Sequence, residues 1–189
     1  MAERPPAAGK SSFDLIDEKK LFSLIDMPHK STVVDLACGT GRYSIEISKI
    51  REAHHNIYAI DLWVEGINAL NQFISDNNIT NIHTIVADIS KKIPLETASA
   101  DMCLLATVLH DLSKEAQDTT MREVHRVLKP EGIVMIIEFK KIDKGPGPPL
   151  NIRLSEQDVE NLTVKHEFEK ISCDEVGEFN YLMKLQKNI

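Results

Sequence analysis

At 189 residues the chain is long enough to bury a core and short enough to be one domain. A net charge of −7 and a pI near 5.5 argue against nucleic acid as a partner, because phosphate binding asks for a basic face. No run reaches the roughly eighteen apolar residues of a membrane span, and the three cysteines, Cys38, Cys103 and Cys173, lie far apart without a C-x-x-C. They read as reduced thiols of a cytoplasmic protein, neither disulfides nor a zinc site. The short basic groups Lys91-Lys92 and Lys140-Lys141 read as solvated surface.

Met1–Lys10, rich in Pro and Ala and without a signal-peptide core, reads as a flexible tail, and residues 11–189 as a single domain. Ser11–Asp17 leads into a helix whose apolar positions Leu15, Ile16, Leu21, Phe22, Leu24 and Ile25 suit one packed face, ended by Met27-Pro28. Then comes Thr32–Ser44, T-V-V-D-L-A-C-G-T-G-R-Y-S, a short β-branched run that meets a glycine pair and turns into a helix over Tyr43–Arg51. This is a buried parallel strand feeding a helix, the unit that opens many nucleotide-binding sheets. Gly39 and Gly41 permit a positive φ or a close backbone approach. Asp35, inside the strand end, needs a hydrogen-bonding partner, either loop N–H groups or a ligand ammonium.

Further strands are predicted over Asn56–Asp61, Ile82–Ala87, Asp101–Thr107 and Ile133–Phe139, with helices over Gly66–Asp76 and Lys114–Leu128, the latter capped by Ser113. Lys129–Gly132 reads as a turn. Asp61 falls about twenty residues after Gly41, where an acid at a strand tip accepts from ribose hydroxyls. Asp88 ends the third strand. Three acids, Asp35, Asp61 and Asp88, therefore close three successive strands at the carboxyl edge, where open parallel sheets bind ligands. Gly145–Pro149 must be a loop, placed at the pocket mouth, and Ser155–Asp158 has the pattern of a capping box. Phe168–Val176 and Asn180–Lys187 read as two strands hinged at Gly177, with an antiparallel end to the sheet.

Asp35-Leu-Ala-Cys-Gly39-Thr-Gly41 resembles motif I of the class I S-adenosylmethionine-dependent methyltransferases. The segments Val108–Ser113 and Arg126–Gly132 are similar to those of the quinone-biosynthesis and related small-molecule enzymes of that class. Ala37 departs from the pattern, which commonly has glycine there. The resemblance implies a Rossmann-like α/β three-layer sandwich with a mostly parallel seven-stranded sheet of order 3-2-1-4-5-7-6. It implies S-adenosylmethionine as methyl donor. By the same resemblance Asp35, Ala37, Cys38, Gly39 and Gly41 form the cofactor loop, Asp61 takes the ribose, and Leu62 packs on adenine with Trp63 beside it. Asp88 and Ile89 take the adenine edge, Thr107 closes the set at strand four, and Phe13, with Ser12 and Asp14, covers it from the leading segment.

Methyl transfer from a sulfonium asks mainly for alignment, which suits a chain with no compact metal-ligand cluster. His110, just past strand four, is the expected base for the acceptor's proton, and Glu138, at the edge of strand five, is the second candidate. Arg153 and Tyr181 are candidate contacts to a small-molecule acceptor; a macromolecular acceptor is disfavoured by the short connections late in the chain. Two other functions use the same sheet. An NAD(P)-dependent reductase shares Asp61, but Ser44 stands where the dinucleotide fingerprint needs its third glycine, and no Tyr-x-x-x-Lys pair is present. A non-catalytic protein holding an adenosyl ligand remains the third reading.

Overall fold

The computed structural model describes residues 8–50 and 55–188. Its strands are β1 (Thr32–Leu36), β2 (Asn56–Asp61), β3 (Ile82–Val86), β4 (Ala100–Ala106), β5 (Leu128–Phe139), β6 (Phe168–Glu175) and β7 (Asn180–Lys187). They make one sheet of order β3-β2-β1-β4-β5-β7-β6, with β7 antiparallel to both β5 and β6 and the other pairings parallel. The expected topology is therefore the observed one. The helices are α1 (Glu18–Ser23), α2 (Arg42–Ser48), α3 (Val64–Asp76), α4 (Lys114–Val127) and α5 (Glu156–Val164), with 3-10 turns at Phe13–Leu15 and Leu109–Asp111.

Period-two alternation splits the core between the two sheet faces. Val34, Leu36, Cys103 and Leu105 pack with α4 and α5 on one side. Val33, Met102 and Leu104 pack with α1, α2 and α3 on the other. Because both faces are covered, β1 and β4 are apolar almost throughout, as interior parallel strands must be. Ser113 caps α4 through the Ala116 amide, and Ser155 with Asp158 makes the capping box of α5.

Three local expectations are corrected. The leading segment is not one helix: Asp17 caps α1, its carboxylate accepting from the Lys20 amide at 3.0 Å, and Leu15 stays in the separate 3-10 turn before it. Lys129–Gly132, expected as a turn ahead of a strand over Ile133–Phe139, lies within β5. Ala100 pairs with Leu128 and Met102 with Ile133, so these residues form a bulge inside a continuous β5, with Glu131 at φ 60. Lys129 reaches back from the bulge to Asp101 at 2.8 Å, and Asp101 also accepts from the Thr32 amide at 2.7 Å, tying β5, β4 and β1 at one end. Finally α3 starts at Val64, two residues ahead of the expected glycine, and α2 at Arg42. Arg51 lies outside the described residues.

Candidate active site

The β1–α2 turn is built from left-handed residues. Ala37 has φ 59, Gly39 φ 57 and Gly41 φ 74. The two glycines serve different ends. A Cβ on Gly39 would meet nothing within 4 Å, so its bare side faces open space. A Cβ on Gly41 would sit 2.5 Å from the buried Leu70 side chain, so this glycine lets α2 and α3 approach each other. Asp61 fixes the turn from the next strand: one oxygen accepts from the Gly39 amide at 2.7 Å and the other from the Trp63 amide at 2.7 Å.

Above this turn lies a cleft of about 640 Å³ along the carboxyl ends of β1, β2, β3 and β4. Of the residues expected to hold a cofactor, Ala37, Cys38 and Gly39 line it from the glycine turn, Asp61 and Leu62 from β2, Asp88 and Ile89 from β3, and Thr107 from β4. Trp63 lines it too. Asp88 accepts from the Ser90 amide at 3.0 Å and hydroxyl at 2.6 Å, with Lys91 at 3.3 Å. Burial pushes the Asp88 carboxyl up, but these partners hold it below its ordinary value. Burial also raises the Cys38 thiol, so it is not a thiolate nucleophile.

Three expected cofactor residues stand outside the lining. Gly41 packs on Leu70, as above. Phe13 is buried, its ring edge-on to Tyr43 at 4.9 Å and beneath the Arg42 guanidinium at 4.6 Å. Asp35 is 1% exposed and faces α2, where one of its oxygens accepts from the Ser44 hydroxyl at 2.6 Å and amide at 3.2 Å. Its other oxygen, Oδ1, has no partner among the described residues. Burial, only partly offset by Ser44, raises this carboxyl to about 6.

The leading segment closes one side of the cleft. Ala8, Gly9 and Lys10, the described part of the expected tail, line it together with Ser11 and Ser12. Ser12 is 4% exposed, and its hydroxyl lies 3.0 Å from both the Tyr43 hydroxyl and Thr107 Oγ1. Asp14 is clamped by Arg42 through two bonds of 2.5 and 2.7 Å. Sequence spacing gives no sign of the Tyr43 or Arg42 partnerships, since both depend on where a non-regular segment crosses the sheet edge.

His110 and Glu138 come together, but not in the cleft. His110 Nδ1 lies 2.6 Å from Glu138 Oε2, and the His110 amide donates to Oε1 at 3.3 Å. Their side chains are 5% and 0% exposed. On its other edge, His110 Nε2 is 3.6 Å from Asp111 Oδ2. Burial lowers the His110 imidazole, yet Glu138 and Asp111 outweigh it and the net shift is upward, against the opposing charge of Arg153. Arg153 does not reach the cleft. Its guanidinium donates to the carbonyls of Pro148, Lys140, Ile142, Lys144 and Pro146 and so gathers the Gly/Pro loop, which does not border the cleft as expected. Tyr181 is buried with its hydroxyl on the Leu154 carbonyl at 3.0 Å.

Among the described residues no group of three or more His, Cys, Asp or Glu side chains is placed to hold a metal ion, and no helix is long and apolar enough to cross a membrane. Residues 28–187 match a family model described as a methyltransferase domain. The chain is 30% identical over 129 residues to O-methyltransferase 12 of Dictyostelium discoideum, covering 68% of this chain and 33% of that protein. It is 29% identical over 115 residues to the ubiquinone/menaquinone biosynthesis C-methyltransferase of Coxiella burnetii, covering 60% and 45%. It thus spans about a third to a half of the length of these curated relatives. The crystal structure of a SAM-dependent methyltransferase from Aquifex aeolicus superposes with a TM-score of 0.83 at 26% identity, covering 94% of this chain and 93% of that one. With this sheet order, this glycine turn and these relatives, the chain belongs to the S-adenosylmethionine-dependent methyltransferase family.

Proposed function

We propose that this protein transfers a methyl group from S-adenosylmethionine to a small-molecule acceptor by in-line displacement. The observation that carries this reading is the pair of carboxylates, Asp61 and Asp88, at the tips of adjacent strands in one cleft with the open face of Gly39 between the glycine turn and α2. An adenosyl ligand suits that set. Asp61 is the residue for the ribose hydroxyls, Asp88 and the Ile89 backbone for the adenine edge, Leu62 and Trp63 for its flat face. The unpartnered Asp35 Oδ1 is a buried acceptor that a cationic ligand nearby would compensate electrostatically.

The donor supplies a methyl group already activated on a positively charged sulfur. What remains for the protein is to align, to exclude water and to deal with the acceptor's proton. Alignment of bound reactants can contribute on the order of 7–11 kcal/mol. The Ser12 bridge and the Arg42–Asp14 clamp hold the leading segment along the cleft, which favours a dry reaction volume. The antiparallel β7–β6 end favours this reading over a reductase, whose sheet would continue in parallel. Calorimetry with S-adenosylhomocysteine tests it: binding is expected for the wild type and is expected to weaken at least tenfold in Asp61→Ala. Absence of binding, or an unchanged affinity in that variant, would falsify the assignment.

A further inference from the structure

His110 and Glu138 leave a question about the acceptor's proton, because neither lines the cleft. Asp111 does. The 3-10 turn Leu109–Asp111 presents Asp111 to the cleft, its side chain 26% exposed, and turns His110 inward against β5. From the cleft inward the order is therefore Asp111 carboxylate, His110 Nε2 at 3.6 Å, then His110 Nδ1 on Glu138 Oε2 at 2.6 Å. Val108 and Leu112, which flank the turn, line the same cleft. With Asp61 and Asp88 assigned to the adenosyl ligand, Asp111 is the cleft carboxylate left to take a hydrogen bond from a donor group on the acceptor.

We infer that Asp111 is the catalytic residue that receives the acceptor's proton, that the acceptor carries an O–H or N–H group, and that His110 and Glu138 are positioning residues behind it. The inference rests on the methyltransferase reading above. In the step, the acceptor oxygen or nitrogen lone pair forms the new bond to the methyl carbon. The carbon–sulfur bond breaks with its electron pair left on sulfur, and the acceptor's proton passes to Asp111 and on to solvent. Burial lowers the His110 imidazole, but Glu138 on β5 and Asp111 on its own turn raise it on balance, against the opposing charge of Arg153 before α5, and from this place His110 orients the Asp111 carboxylate. The His110 side chain is 5% exposed and is not part of the cleft lining, whereas Asp111 is.

The test uses the full chain with methyl-labelled S-adenosylmethionine and three probes, catechol, tyramine and thiophenol. Label is expected in catechol or tyramine, and Asp111→Asn is expected to lower kcat for that probe by about 100-fold, with Asp111→Glu restoring part of the rate. Thiophenol, already ionised at pH 8, is expected to be insensitive to Asp111→Asn. His110→Gln should move the acid limb of the pH–rate profile while leaving the KM for the probe unchanged. A readout independent of turnover is the carbon-13 NMR titration of His110, whose midpoint is expected to fall by on the order of one pH unit in Asp111→Asn. Full kcat in Asp111→Asn on catechol or tyramine, an unmoved His110 midpoint, or label in thiophenol alone would each overturn the inference. No label in any probe from a protein that binds S-adenosylhomocysteine overturns the inference. Loss of that binding in the wild type overturns the donor reading beneath it.

Discussion

Ser12 and Thr107, ninety-five residues apart in sequence, share a hydrogen bond of 3.0 Å at the edge of the cleft. Thr107 makes it from φ 53, a left-handed conformation that a β-branched residue adopts only where surroundings enforce it. Its amide is held by the Ile137 carbonyl at 2.7 Å, so the strained residue is pinned on the sheet side and on the strap side at once.

Ser12→Ala removes this bond and the one to Tyr43, and leaves the buried Tyr43 hydroxyl without its partner. Stability is expected to fall by about 1–3 kcal/mol in urea denaturation. Amide exchange over residues 11–16 should quicken more than over β4. Equal protection of the two regions would show that the bridge does not hold the strap.

Ala37 occupies a left-handed site where the family commonly has glycine, at φ 59. A Cβ there costs roughly 1–2 kcal/mol, partly returned by the lower chain entropy of alanine when unfolded. Ala37→Gly is expected to stabilise the free protein by about 0.5–1 kcal/mol and raise Tm by a few degrees. A lower Tm would mean the alanine methyl contributes packing that outweighs the strain.

Asp35 sets a pH dependence. Its carboxyl is raised from the ordinary range to about 6 in the fold, so the native state binds the proton more tightly than the unfolded chain does. Stability from this group is full below about 4 and is lost as pH rises through 6. Asp35→Asn should therefore flatten the stability profile between pH 4 and 7 and stabilise the free protein at pH 7 by on the order of 3 kcal/mol. His110, also raised, acts with the same sign at higher pH: its share is full below about 6.5 and is lost as pH rises through its folded value. Measuring the two single variants separates them.

Gly39 and Gly41 predict opposite defects. Gly41→Ala drives a methyl into Leu70 from φ 74 and is expected to cost about 1–3 kcal/mol in stability, while leaving the affinity for S-adenosylhomocysteine per folded molecule near wild type. Gly39→Ala places its methyl in open space beside the cleft, and its larger loss should be in binding. The reverse pattern would undo the division of labour between the two glycines.

The acids at β2 and β3 were legible because strand length and the twenty-residue interval place Asp61 and Asp88 at one edge whatever the packing. The same logic located Asp35 but not its direction: period two sends it toward α2 and Ser44, a partner nine residues on that no motif announces. Lys129–Gly132 has turn chemistry, but the β4–β5 pairing on both sides keeps it within the strand as a bulge. His110 lies just past β4 as expected, but its side chain turns away from the cleft. In a 3-10 turn of three residues a one-position step moves a side chain from the interior to the cleft, and sequence does not fix that phase.

Arg153 gathers five carbonyls of the segment between β5 and α5 with one side chain. A connection rich in glycine and proline, with few amides to spare for pairing with itself, thereby acquires a keystone in place of a hydrogen-bond ladder. Much of the order of this exposed loop therefore hangs on one guanidinium, and removing that group should make residues 141–149 the chain's first site of nicking.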